Sequence, residues 1–268
     1  MDRSVLITGA SGGLGSALST CFAGMGWQVF ATDVQINRDQ HLISEHHPKI
    51  TFIAMDVTSD SSVQSVFKQL QDQNVNLSLI INNAGIDRYF PLSEAPVERF
   101  REVFEVNVFG AYRVNQIFLP LVKRPGGRIV HIGSESLNLT VPFLTYPLSK
   151  KLLEGYAKVL RQELRFYGIE VVVVRPGAIE TQLVQQVREL SLNEVKWKLK
   201  PQFRKFTEGA AKEIGRTITP ETAAKFIYKI AVIRNPASVY RINNSLQLRI
   251  AAWLPFSLIE KIVRKRLS

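Results

Sequence analysis

Tyr146 and Lys150 stand four residues apart in the stretch Tyr146-Pro147-Leu148-Ser149-Lys150. Proline is tolerated in the first turn of a helix, and a long helical run follows. The spacing therefore puts phenol and ammonium on one helix face. A free tyrosine titrates near ~10, and a positive neighbour lowers that value. The pair could then act as an acid–base at neutral pH. The plainer reading is an exposed Lys beside a half-buried Tyr, so the remaining polar residues must decide.

A second stretch suggests anion binding. Thr8-Gly9-Ala10-Ser11-Gly12-Gly13-Leu14-Gly15 joins an expected strand to an expected helix. Glycines there allow a tight turn and let a pyrophosphate approach the main chain, while the helix N-terminus offers N–H groups and a positive dipole end. Without a ligand, the same residues would make a tight strand-to-helix turn. Asp33 ends the next expected strand, eighteen positions after Gly15. A carboxylate there can accept from both ribose hydroxyls of an adenosine and would repel a 2′-phosphate. The nearest downstream base is Arg38, so the pattern favours NAD over NADP. The alternative for Asp33 is a turn residue closing a strand.

More polar residues fall just after apolar runs: Asp56-Val57, Asn82-Asn83-Ala84-Gly85, Ser134 with Ser136 close behind, and Arg175-Pro176-Gly177 followed by Thr181. Asn107 lies inside a long helical pattern, where an amide competes for backbone hydrogen bonds. Tolerated exposure is its plainer explanation.

The elements that must hold these residues alternate. Strands are expected over Ser4–Thr8, Gln28–Thr32, Ile50–Met55, Leu77–Ile81, Arg128–Ile132 and Ile169–Val174. Helical patterns cover Leu14–Gly26, Ser59–Gln71 and Ser93–Leu119. The strands are continuous Val- and Ile-rich runs, which marks strands covered on both faces. Repeated alternation of this kind predicts an α/β fold with a doubly wound parallel sheet, a Rossmann fold in three α/β/α layers. The chemical residues then share the carboxyl edge of the sheet, where such sheets bind ligands. No Pro/Gly/Ser-rich linker interrupts residues 1–268, so one domain is expected. After Val174 come a polar, basic segment to Arg216, a helix opened by Thr219-Pro220-Glu221, a short strand over Ser238–Arg241, and a helical tail broken near Pro255.

Composition narrows the function. Of 268 residues, 46% are hydrophobic and 21% charged, as in a globular protein with a substantial core. The single cysteine, Cys21, excludes an intrachain disulfide and reads as a small apolar residue, which suits a reducing compartment. The expectation is a cytoplasmic protein without a signal peptide, because the first strand begins almost at Met1. No apolar run approaches the ~20 residues of a membrane span. Four histidines and one cysteine without ligand spacing give no expectation of metal. The formal charge of +11 leaves an anionic surface or substrate open.

Together these residues resemble the short-chain dehydrogenase/reductase family, in its single-domain branch, close to hydroxysteroid and retinol-type dehydrogenases. The resemblance rests on Thr8, Gly9, Gly13, Gly15, Asp56, Asn82–Gly85, Asn107, Ser134, Tyr146, Lys150 and Pro176-Gly177, in family order. It implies Tyr146 as general acid–base, with Lys150 lowering its pKa and bonding the nicotinamide ribose. Ser134 would hold the substrate oxygen, with Ser136 a lesser candidate for that role. Asn107 would position a water in a proton relay. The cofactor would meet Thr8, Gly9, Ser11, Gly12, Gly13, Leu14 and Gly15; Asp33; Asp56 and Val57; Asn83, Ala84 and Gly85. Tyr146, Lys150, Pro176, Gly177, Ile179 and Thr181 would complete its site, Thr181 at the carboxamide.

Residues 178–216 are expected to form a lid over the substrate, with Leu183, Val184, Val187, Leu190, Leu192, Val195, Trp197, Leu199, Phe203 and Phe206 as apolar members. Phe90, Leu139, Val141, Pro142 and Phe143 are expected to face the same pocket. An apolar pocket favours a lipophilic alcohol or ketone: steroid, retinoid, or fatty or isoprenoid. The basic amphipathic tail, residues 245–268, reads either as a helix packed on the domain or a partner subunit, or as a peripheral contact with an anionic membrane. Basic residues spread over lid and tail without a reader motif argue against nucleic acid. A homodimer or homotetramer is implied by family size. Two other functions stay open: an NADP-dependent 3-ketoacyl-carrier reductase, and a dinucleotide-sensing binding protein without turnover.

Overall fold

Continuous apolar runs pair side by side into one seven-stranded, all-parallel sheet in the computed structural model, which describes residues 3–36, 40, 43, 45–182, 185, 197–213, 217–245 and 253–267. Leu183, Val184, Val187, Leu190, Leu192, Val195, Arg38 and Arg249 lie outside the described residues. The strands are β1 (Ser4–Thr8), β2 (Gln28–Asp33), β3 (Ile50–Ala54), β4 (Leu79–Asn82), β5 (Arg128–Ile132), β6 (Glu170–Pro176) and β7 (Val239–Ile242), in the order β3-β2-β1-β4-β5-β6-β7. Every residue of β1 and β4 is buried, as strands covered on both faces require. The order reverses between β1 and β4, which opens a crevice beyond their carboxyl ends.

Two helical layers cover the sheet. On one face lie α1 (Gly13–Gly24) and α7 (Pro220–Val232), sharing a core with Val5, Ile7, Leu79 and Ile81. Cys21 packs against the edge of this core. On the other face α2 (Asp60–Asp72), α4 (Ala111–Phe118) and α5 (Tyr146–Leu164) close over Leu6, Ile80, Ile129 and Val171. Ser59 caps α2 by accepting from the Ser62 N–H, and Thr219 caps α7 by accepting from the Thr222 N–H, as their sequence positions suggest.

The long helix expected from Ser93 is not one helix. Ser93 lies in a turn, and α3 begins at Val97 behind Pro96 (Val97–Phe104). It passes through a π-helical stretch, Glu105–Gly110, into α4. The wider turn rotates Asn107 inward, and its residue is only 1% exposed. The chain ends in α6 (Lys200–Glu213) and α8 (Phe256–Leu267), which meet over the carboxyl edge of the sheet.

Candidate active site

Gly9 and Gly15 build the turn after β1. Gly9 has φ +66°, a left-handed conformation that disfavours side chains, and a Cβ on Gly15 would lie 2.1 Å from the Gly9 carbonyl oxygen. Thr8 and Asn83 hold this turn against the β4 loop. The Thr8 hydroxyl accepts from the N–H groups of Asn83 and Ala84, at 3.1 Å each, and Asn83 Nδ2 donates to the carbonyls of Thr8 and Gly9, at 3.0 Å each. Their side-chain polar groups bind protein, so Thr8 and Asn83 support the cradle more than they form its surface.

Gly12 starts α1 without any side-chain cap, so the first-turn N–H groups are left for a ligand. A Cβ on Gly12 would meet only the Gly9 oxygen, at 3.6 Å, so this face is open to an approaching phosphate. Asp33 closes β2 beside it. Its Oδ2 accepts from the Ser11 N–H at 2.8 Å and its Oδ1 from the Val34 N–H at 2.7 Å. Asp56 is turned by Thr58, whose N–H and hydroxyl both donate to Oδ1. These residues fit a dinucleotide: backbone donors for its phosphates, and carboxylates for its hydroxyls and base.

The acid–base group lies where α5 begins, next to the end of β5. Tyr146 lines the cleft together with Ser134. Ser134 Oγ lies 2.8 Å from Ser136 Oγ and accepts from the Ser136 N–H, so the two serines form one polar corner. Lys150 Nζ donates to the Ile132 carbonyl at 2.8 Å and sits 5.4 Å from the centre of the Tyr146 ring. Asn107 Oδ1 accepts from the Ile86 N–H at 2.8 Å, while its Nδ2 donates to the Ile86 carbonyl and to Ser149 Oγ, at 2.9 Å each. Asn107 thus clamps the loop after Gly85 to α5.

The lowering of Tyr146 expected from Lys150 is not what this arrangement produces. Burial pushes the phenol above its ordinary value, the Asp87 carboxylate pushes the same way, and the Ser134 side chain pulls back. The Lys150 ammonium is itself lowered to about 8 by burial, with Asp87 opposing.

One cleft of about 1940 Å³ runs from the glycine turn past Tyr146. A drug-sized ligand occupies roughly 300–1,000 Å³, so the cleft has room for a dinucleotide and a second molecule. Gly9, Gly12, Gly13, Leu14, Gly15, Asp33, Asp56, Val57, Asn83, Ala84 and Gly85 line one end; Ser134, Leu139, Tyr146, Lys150, Pro176, Gly177, Ile179 and Thr181 line the rest. Phe90 and Phe143, expected in the pocket, are instead buried at 1% and 4% exposure. Phe143 packs edge-on against Phe203 and at a tilt against Phe206 behind the wall, because its left-handed backbone (φ +72°) turns the ring into that cluster. Among the described residues the aromatic positions that reach the cleft, besides Tyr146, are Tyr89 and Phe206.

Two contributors escaped the sequence reading. Asp87 lines the cleft beside Tyr89, and α8 supplies Ile259, Ile262, Val263 and Leu267 as a wall. The signal for α8 was the four-residue spacing of Ile259, Val263 and Leu267. No comparable signal marked Asp87. Among the described residues no three His, Cys, Asp or Glu side chains gather into a metal site.

A parallel sheet with a glycine cradle at its carboxyl edge is the architecture of a dinucleotide-binding α/β protein. The chain belongs to the short chain dehydrogenase family, which residues 3–191 match. It is 31% identical to estradiol 17-beta-dehydrogenase 2 of Rattus norvegicus over 68% of this chain and 50% of that one. It is 33% identical to an NADPH-dependent 3-dehydrocapnine reductase of Ornithobacterium rhinotracheale, over 68% of this chain and 67% of the other. In fold it is similar to a short chain dehydrogenase/reductase from Burkholderia phymatum in complex with NAD, with TM-score 0.79 and 19% identity over 97% of this chain and 95% of that one.

Proposed function

We propose that the protein moves a hydride between NAD and a lipophilic secondary alcohol or ketone, with Tyr146 as general acid–base. The observation that carries this reading is that Ser134, Tyr146 and Lys150 line the same cleft as the glycine turn, with Lys150 Nζ 5.4 Å from the centre of the Tyr146 ring. Turnover of steroid, retinoid, aliphatic and sugar alcohols with NAD, followed at the nicotinamide absorbance, tests it.

The bound nicotinamide supplies or accepts the hydride. In the reducing direction Tyr146 gives its proton to the substrate oxygen as negative charge develops there. Ser134 donates to the same oxygen and lowers the energy of that charge. Lys150, held by the Ile132 carbonyl, keeps a positive charge near the resulting phenolate. Asn107 keeps the loop after Gly85 and the start of α5 in register through Ile86 and Ser149. The burial that raises Tyr146 also strengthens each of these interactions by excluding water.

Asp33 supports NAD over NADP. A 2′-phosphate at the end of β2 would face a carboxylate already oriented by Ser11 and Val34. An apolar substrate is supported by Leu139, Val141, Leu144 and Phe206, together with the α8 residues, along the far wall. We read α6 as part of a lid over the cleft within a single domain. Exposed Val97, Phe109 and Tyr112 on α3–α4, with Leu152 and Val159 on α5, support a homodimer or homotetramer built on those helices.

The tail combines both alternatives raised by its sequence. One side of α8 packs toward α6 and the cleft. The other carries Leu258, Lys261 and Lys265, while Trp253 and Phe256, where the helix begins, are exposed at 90% and 63%. This supports a peripheral contact with an anionic membrane. Among the described residues no helix is long and apolar enough to cross one.

A further inference from the structure

Asp87 is a buried carboxylate whose surroundings leave it half satisfied. It follows Gly85-Ile86 at the end of β4, and its backbone is tied to the residues just before Tyr146. Tyr89 bridges to Leu144, the Phe90 N–H donates to the Phe143 carbonyl, and the Thr145 hydroxyl donates to the Arg88 carbonyl at 3.0 Å. The residue is 7% exposed and lines the cleft. Its Oδ2 accepts from the Tyr89 hydroxyl at 2.5 Å, whereas Oδ1 has no hydrogen-bond partner.

The neighbouring cations do not complete it. The Arg88 guanidinium pairs with Glu102 and donates to the carbonyl of Asp87 rather than to its carboxylate, while the Arg88 backbone N–H acts on the carboxyl group. Lys150 donates to Ile132. Burial, then Asp87 itself, push the Tyr89 phenol upward, so Tyr89 stays a donor and Asp87 stays an acceptor. A buried carboxylate with unused acceptor capacity costs folding energy that an apolar side chain of similar size would avoid. Such a group is explained where a ligand completes it.

We propose that Asp87, oriented by Tyr89, anchors a hydrogen-bond donor of the substrate. The preferred substrate then carries a hydroxyl or a protonated amine close to its reacting carbon, on an otherwise apolar body. Nearness to the reacting carbon follows because the Thr145 hydroxyl ties the loop carrying Asp87 to the residue before Tyr146, and Asp87, Ser134 and Tyr146 line one cleft. The inference rests on the dehydrogenase reading and specifies its substrate class as a diol, hydroxy ketone or amino alcohol. Apolar walls hold the body of such a molecule, Ser134 and Tyr146 hold its reacting oxygen, and Asp87 holds the second polar group.

Matched pairs test this: cyclohexanol against trans-2-hydroxycyclohexanol and trans-2-aminocyclohexanol, and decan-2-ol against decane-2,3-diol, each with NAD. Wild type should favour the donor-bearing partner in kcat/KM by about ten- to a hundredfold, the range expected for a hydrogen bond to a charged group. Preference for the amine over the hydroxyl would identify a cationic substrate, and the reverse a neutral one. Asp87→Leu should bring the ratio within each pair to about one, chiefly through KM, and Tyr89→Phe should lower it part of the way. Asp87→Asn, which keeps the shape, controls for folding through its melting curve and NADH affinity. Equal wild-type turnover of both partners overturns the inference. So does an Asp87→Leu loss that is the same for both and confined to kcat. Failure of wild type to turn over any alcohol in either series, or in the broader panel, would instead defeat the dehydrogenase reading, and this inference with it.

Discussion

Glu154 on α5 takes both arms of Arg175 on β6: Nε donates to Oε2 at 2.6 Å and Nη2 to Oε1 at 2.5 Å. The side chains are 4% and 14% exposed, so this bidentate pair ties the helix bearing Tyr146 and Lys150 to the strand leading into Pro176-Gly177. Burial, the largest single influence on Glu154, would raise its pKa, but Arg175 and Lys158 together hold it below the ordinary value. Glu154→Ala leaves the guanidinium buried and unpaired, and should cost about 3 kcal/mol in urea unfolding. In wild type the depressed carboxylate contributes stability that is present above its unfolded pKa of 4.5 and is lost as pH falls through the lower folded value. The variant should therefore lose less stability than wild type on acidification below that point.

The glycine turn separates folding from binding. Gly15→Ala forces a Cβ into the Gly9 carbonyl and should lower the melting temperature by several degrees as well as abolish NADH binding. Gly12→Ala meets no such contact. It should leave the melting temperature within about 2 °C while weakening NADH binding roughly tenfold or more by fluorescence titration, because the methyl lies where the phosphates approach. Equal NADH affinity in Gly12→Ala and wild type would remove the phosphate from that face.

Asp87 should make the protein less stable than it could be at neutral pH. Burial raises its carboxyl to about 6, against the lowering effects of Tyr89, Arg88 and Lys150. A raised folded pKa gives stability that is fully present below the unfolded value of 3.8 and is lost as pH rises through 6. Asp87→Asn removes that dependence. Its melting temperature should exceed wild type at pH 7.5, by an amount corresponding to about 3 kcal/mol, and the gap should shrink toward pH 4. A constant difference between the two pH values would mean that Asp87 does not titrate in this window.

The exposed residues of the tail can be tested without touching the cleft. Trp253→Ser with Phe256→Ser, or Lys261→Glu with Lys265→Glu, should reduce co-sedimentation with phosphatidylserine-containing vesicles, at about 1 kcal/mol for each basic residue near the surface. Melting temperature should stay within about 2 °C, because these side chains are exposed. Equal sedimentation of wild type and both variants would assign the exposed face to something other than membrane.

Much of this architecture was legible in the sequence, because buried parallel strands write themselves as Val- and Ile-rich runs. Ser59 and Thr219 announced their helices by the ordinary chemistry of caps. The parts that were not legible have physical reasons. The π-helical turn at Asn107 changes the helix period by one residue, and its burial comes from Ile86, twenty-one positions away. Phe143 looked like a pocket residue until its backbone turned it into the Phe203–Phe206 cluster. A single aspartate after a glycine loop carries no pattern, so Asp87 became visible only through its burial and its empty acceptor. The tail read as one apolar stripe, but α8 divides it. Ile259, Val263 and Leu267 face the cleft, while Phe256 and Leu258 lie exposed.

Tyr146→Phe removes one oxygen from the corner shared with Ser134 and Lys150 and leaves the glycine cradle intact. Its turnover of the best lipophilic alcohol with NAD should fall at least about a thousandfold, within the range of a lost general acid–base, while NADH affinity changes by less than about threefold. Retained turnover, or a loss that merely follows weakened NADH binding, would contradict Tyr146 as the acid–base of this site.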